Sequence, residues 1–227
     1  MTDSGRSAWL DSAWRFLQVW GVPIGMSGAY LVLMWSSDTD TTGKAWMAIG
    51  LGFVFVIWFV FRLLTQSAAL SRAIDIGDAN RILDVSTRFL GSHRADKARA
   101  PYLVARAFAH ELRGEYAPAL ASLDEAKLSA LPVKPRAQWQ LRAASTRIAA
   151  LLATGKLAEA REVLERDLAP NANHPVHSDA YLAANLAAGR VLAAEGKRAE
   201  ATARLARVSE DIRATTAMRA AVQSVLA

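Results

Sequence analysis

Two long apolar runs, at 16–35 and 45–64, constrain this chain more than any other feature. A bilayer core takes about 20 consecutive apolar residues of helix, and both runs reach that length. Residues 16–35 and 45–61 hold no charged side chain, and Arg62 arrives only as the second run closes. A water-soluble core rarely supplies two such runs in tandem. Residues 16–64 are therefore read as a transmembrane helical hairpin, preceded by a lead at 1–15 and joined through the polar link 36–44.

The flanks agree. Trp9, Trp14 and Trp20 precede or open the first run, and Tyr30, Trp35 and Trp46 cluster around the link. Aromatic rings with one polar edge favour the headgroup layer. A cleaved signal would have an apolar stretch of about 7–15 residues ending in a small-residue site. This run is longer and ends in Leu33-Met34-Trp35, so a retained anchor is expected. The link carries Asp38, Asp40 and a single cation, Lys44, whereas Arg62, Arg72, Arg81, Arg88, Arg94, Lys97 and Arg99 follow the second run. Basic residues near span ends stay on the cytoplasmic side. The expected topology places both termini in the cytoplasm of a bacterial cell, with the hairpin in its inner membrane. Gly21, Gly25 and Gly28 in the first run, with Ala48 and Gly52 in the second, are the small residues that would let the two helices pack closely.

Beyond the hairpin lies one region, 65–227, that is rich in Ala, Leu, Arg and Glu and free of strand-like alternation. The net charge of +6 arises wholly there, because the first 64 residues hold four basic and four acidic side chains. That balance suits anionic lipid headgroups. It does not suit nucleic acid, for there is no dense basic run and no aromatic-studded strand. Cysteine is absent, which excludes disulfides, thiolate metal sites and a cysteine nucleophile.

The helical region repeats. Gly114, Gly155 and Gly196 are 41 residues apart, and each closes an apolar-periodic helix. Five residues after each stands an alanine (Ala119, Ala160, Ala201), and nine after each a leucine (Leu123, Leu164, Leu205). A fixed period of this size marks stacked helix pairs. The glycine takes the turn, the alanine lets the second helix approach the first, and the leucine fills the seam. A degenerate earlier unit is expected with Gly77-Asp78 as its turn, Ile82-Leu83 in its second helix and the tail of the membrane helix as its first. Residues 212–227, with Ile212, Met218, Ala221, Val222 and Val225-Leu226, suit a capping helix.

Gly114, Tyr116, Ala119 and Ala126 resemble the turn and close-contact pattern of tetratricopeptide repeats. The resemblance covers about residues 100–213. It departs from the family in its longer period and in Leu157 and Arg198, which replace the turn tyrosine. It implies an α-solenoid of antiparallel helix pairs whose first helices line a concave, protein-binding surface. The fold class expected is thus all-α, two transmembrane helices followed by such a solenoid.

Chemistry finds little support. Gly25-Met26-Ser27-Gly28 resembles the nucleophile motif of rhomboid-type intramembrane proteases, but no His, Lys, Asp or Glu lies within either span to activate the serine. His174 and His177 sit in a proline-containing loop with only Asp179 near, an incomplete ligand set. Glu159, Glu162, Glu165 and Asp167 alternate with Arg161 and Arg166 as exposed helix pairs do. No catalytic residue, cofactor site or metal site is expected. The expected function is a membrane-anchored adaptor or scaffold for a protein partner. The alternative is a structural or assembly subunit of a larger membrane complex, or a homo-oligomer, with the hairpin as main contact. Arg106, His110, Arg142, Arg147, Asn185 and Arg190 are the candidate partner-binding residues. Arginine pairs bidentately with carboxylates, so an acidic segment or a C-terminal carboxylate is the expected ligand.

Overall fold

The structure, a computed structural model, describes Gly25, Gly28, residues 41–168 and residues 178–226, with the side chains of 41, 42, 44–48, 51 and 59–67 outside that description. All regular structure among the described residues is helical. The chain divides into two compact units, Met1–Ser67 and Ala68–Ala227.

In the first unit the described part is mainly the beginning of α1 (Thr41–Ile76), a helix assigned without a break through position 64. Ile49, Phe53, Val54, Phe55, Val56 and Ile57 are exposed along it. Among the described residues no helix is long and apolar enough to cross a membrane. In the second apolar run the longest described stretch of side chains is 52–58, which rises about 10 Å, a third of a hydrocarbon core. The first run, the lead and most of the link lie outside the described residues. Gly25, Gly28 and Gly52 have no described atom within 4 Å of where a Cβ would sit. Gly21 and the Ala48 side chain are not described.

The second unit takes the tail of α1 and continues through α2 (Ala79–Ser92), α3 (Asp96–Leu112), α4 (Tyr116–Glu125), α5 (Val133–Ala153), α6 (Leu157–Val163), α7 (Asp179–Ala194), α8 (Arg198–Ser209) and α9 (Thr216–Leu226). Four glycines, Gly77, Gly114, Gly155 and Gly196, take positive φ of 77°, 73°, 76° and 80°. At each, the next residue donates its amide back across the turn. Glu115 reaches the carbonyl of His110 at 2.8 Å, Lys156 that of Leu151 at 2.9 Å and Lys197 that of Leu192 at 2.9 Å. Asp78 does the same to Ala73 at 2.9 Å. This is the bonding of a helix stop built on a left-handed residue, a backbone state that glycine adopts without a Cβ penalty. The expected degenerate unit is therefore present in its turn, with Asp78 also capping α2 through the amide of Arg81 and Ile82 fully buried.

Cross-pair bonds show that α3 and α4 run antiparallel. Arg99 near the start of α3 reaches Glu125 at the end of α4, Arg106 donates to Ser122 at 3.1 Å, and His110 meets Glu115 beside the turn at 2.6 Å. The alanines five residues after the glycines, Ala119, Ala160 and Ala201, are buried, as are Leu123 and Leu205. Leu164 differs. It opens a π-helical turn, Leu164–Leu168, and is only partly buried, packed against the edge of the seam. Val163 and Leu168 are buried there instead, packed with Ile148, Leu151 and Ala187. At the end of the chain, Val222 of α9 packs on Leu182, Leu186 and Leu205, while Ile212 stands in the preceding loop and is 90% exposed.

Candidate functional site

Within the second unit the first helix of each pair faces a common cavity of about 520 Å³. Its lining comes from the tail of α1, from α3, α5 and α7, and from α9 with the loop before it, and none of it from α2, α4, α6 or α8. The second helices are thus the outer layer. The turn after α1 approaches α9, where a Cβ on Gly77 would lie 3.4 Å from that of Ala217.

The polar floor is built by side chains from different pairs. Glu111 of α3 pairs with Arg190 of α7 at 3.0 Å, both nearly buried. Thr146 of α5 adds a hydrogen bond to the same carboxyl. Burial pushes the Glu111 carboxyl above its ordinary range, against the pull of Arg190, Thr146 and the more distant Arg142. Asp179 pairs with Arg213 at 3.1 Å. Arg142 of α5 lies 5.6 Å over the Phe108 ring, a cation–π contact. It has no hydrogen bond or ion pair to a described residue. Burial pushes its guanidinium down, and Asp75, Asp179 and Glu111 act on it from beyond contact distance. Asp75, near the end of α1, likewise lines the cavity with no ion pair or hydrogen bond to a described residue. Phe108, Trp139, Leu182 and Met218 supply the apolar wall.

A second polar cluster sits outside the cavity, at the junction of two pairs. Glu125, at the end of α4, takes Arg99 and, at 3.0 Å, Arg106. Its neighbour Asp124 takes Arg147 of α5 at 2.6 Å. All five side chains are at least partly open to solvent.

The six candidate residues therefore divide. Arg142 and Arg190 line the cavity. Arg106 and Arg147 belong to the outer cluster, and His110 turns to Glu115. Asn185 is buried, donating to the Tyr181 carbonyl at 2.9 Å and accepting from Arg204 of α8 at 3.2 Å. On α3 the side chains at 108, 111 and 112 face the cavity, whereas those at 106 and 110 face α4. Glu111, Phe108, Asp75 and Trp139 are among the cavity residues that sequence reasoning passed over. The signal for Glu111 was its place on the first helix of a pair beside His110. Nothing in the sequence marked Asp75 as a wall of the same space. His174 and His177 lie outside the described residues. Compared with protein-family models, with curated proteins and with solved structures, the chain matches none.

Proposed function

We propose that this chain is a membrane-anchored adaptor, in which a hairpin at 16–64 holds a tetratricopeptide-like solenoid at the cytoplasmic face and the solenoid recruits a protein partner. The observation that carries this reading is the arginine junction. Arg99 and Arg106 of one pair and Arg147 of the next converge on two adjacent, partly exposed carboxylates. An acidic segment or C-terminal carboxylate of a partner would compete with Asp124 and Glu125 for the same guanidinium groups, exchanging one charge-assisted pair for another. The exposed apolar stretch of α1 supports the anchor, since contiguous exposed apolar surface marks a membrane or protein contact.

The test is recovery of partners in mild detergent, comparing the full chain with one starting at Ser67. Recovery of the same soluble protein by both, lost on charge reversal at Arg99, Arg106 and Arg147, is the expected result. Unchanged recovery by the charge-reversed chain would sink the reading. The same exposed stretch on α1 favours a second reading, in which the hairpin docks into a larger membrane complex. Recovery of integral membrane proteins by the full chain alone would select it.

A further inference from the structure

The cavity and the arginine junction are different kinds of site. The junction is open and pairs charge with charge. The cavity is walled by five helical segments and has a volume in the range of small-ligand pockets, about 300–1,000 Å³.

Its charges also sort. Glu111 and Arg190 neutralise each other, as do Asp179 and Arg213. That leaves one cation and one anion lining the space without an ion pair or hydrogen bond to a described residue, Arg142, which rests over the Phe108 ring, and Asp75. Each lies within the electrostatic reach of the other but outside ion-pair distance. A monovalent anion would satisfy Arg142 and leave Asp75 facing it across the cavity. A monovalent cation would do the reverse. Phe108, Trp139 and Met218 add apolar surface to the same lining.

We propose that the cavity binds a small zwitterion with an apolar body, of the free amino-acid or dipeptide class, its carboxylate on Arg142, its ammonium on Asp75 and its side chain against Phe108 and Trp139. This goes beyond recruitment of a partner and gives the adaptor a small-molecule effector. It stands apart from the junction of Arg99, Arg106 and Arg147, so either can fail alone.

The experiment is calorimetric titration of the full chain in detergent with four probes. L-phenylalanine and glycyl-L-phenylalanine carry both charges at two spacings. 3-Phenylpropionate keeps the ring and the carboxylate, and phenethylamine keeps the ring and the amine. At least one zwitterion is expected to bind ten-fold or more tighter than either single-charge probe. Arg142→Gln should weaken that zwitterion and 3-phenylpropionate alike by ten-fold or more. Asp75→Asn should weaken the zwitterion by a similar factor while leaving 3-phenylpropionate as tight or tighter. Asp75 is exposed, so this second variant keeps the test sound if Arg142→Gln fails to fold. Equal binding of 3-phenylpropionate and the zwitterions, or no binding by either zwitterion at millimolar concentration, would overturn the proposal. Partner recovery by an unaltered chain that binds neither zwitterion would sink this inference and leave the adaptor reading standing.

Discussion

Gly189 and Leu205 hold α7 and α8 at a separation that no larger residue permits. A Cβ at position 189 would lie 2.6 Å from both Cγ and Cδ2 of Leu205, a fully buried side chain. Gly189→Ala therefore forces Leu205 off its rotamer or the helices apart, costing about 1–3 kcal/mol. The opposite change in backbone entropy, about 0.5–1 kcal/mol in favour of alanine within a helix, reduces that loss without cancelling it. Gly91→Ala is the control, because a Cβ there meets nothing within 4 Å. Denaturant titration should show Gly189→Ala clearly destabilised and Gly91→Ala unchanged or slightly stabilised. Equal stability of the two would mean that the seam is looser than its geometry.

Ser86 offers the reverse case. It occupies, nine residues after Gly77, the place where the later pairs carry leucine. Its side chain is fully buried, and its hydroxyl has no hydrogen-bond partner among the described residues. A buried hydroxyl left unpaired costs about 1–3 kcal/mol. Ser86→Ala removes that cost while leaving a cavity no larger than one oxygen, so a gain of about 1 kcal/mol is expected in the same denaturation assay. A loss of that size would show that the hydroxyl is satisfied.

What the sequence reveals of this fold depends on what physics lets a single residue type report. The turns at Gly114, Gly155 and Gly196 are legible because positive φ is costly for any residue with a Cβ, so glycine at a fixed spacing marks them. Even Gly77 is visible through Asp78 and Ile82. The facing of the first helices is not legible in the same way. On α3, Ala100, Leu103, Val104, Ala105, Ala107 and Ala109 are all buried, because this helix is packed on several sides. A helix apolar nearly all round has no single stripe to orient it. Periodicity therefore gave no means of preferring Glu111 over His110 as the cavity residue. The π turn at Leu164–Leu168 carries no glycine or proline, and one extra residue in a turn leaves no mark on composition.

The anchor makes a prediction of its own. Phe53 and Ile57, one turn apart on α1, are both exposed. If this face meets lipid, arginine there costs about 2.5–3.5 kcal/mol for each residue near the centre of a span. The chain carrying Phe53→Arg and Ile57→Arg should leave the membrane fraction on alkaline carbonate extraction, while the unaltered chain stays. Release of the unaltered chain under the same conditions would overturn the hairpin reading.

The Glu111–Arg190 pair predicts how stability depends on pH. Burial raises the Glu111 pKa in the folded chain above the ordinary 4.5, with Arg190 the largest opposing influence. A folded pKa above the unfolded one means that the folded state binds the proton more tightly. The contribution of Glu111 is thus fully present below the ordinary carboxylate pKa. It is lost as pH rises through the raised value and is flat beyond it. Glu111→Gln keeps a hydrogen-bonding side chain but cannot titrate. Relative to the unaltered chain, its stability should rise as pH climbs from the ordinary carboxylate pKa of 4.5 towards neutrality, a difference read by denaturation at the two ends of that range. Arg190→Gln works in the other direction. It removes the nearest cation, pushes the Glu111 carboxyl further up and leaves a nearly buried charge unpaired, at a cost of about 3 kcal/mol at neutral pH. Combining the two changes should restore most of that loss, because the charge that needed Arg190 is then gone. A Glu111→Gln chain whose stability follows the same pH profile as the unaltered one would show that Glu111 stays ionised throughout, and that its pairing with Arg190 outweighs its burial.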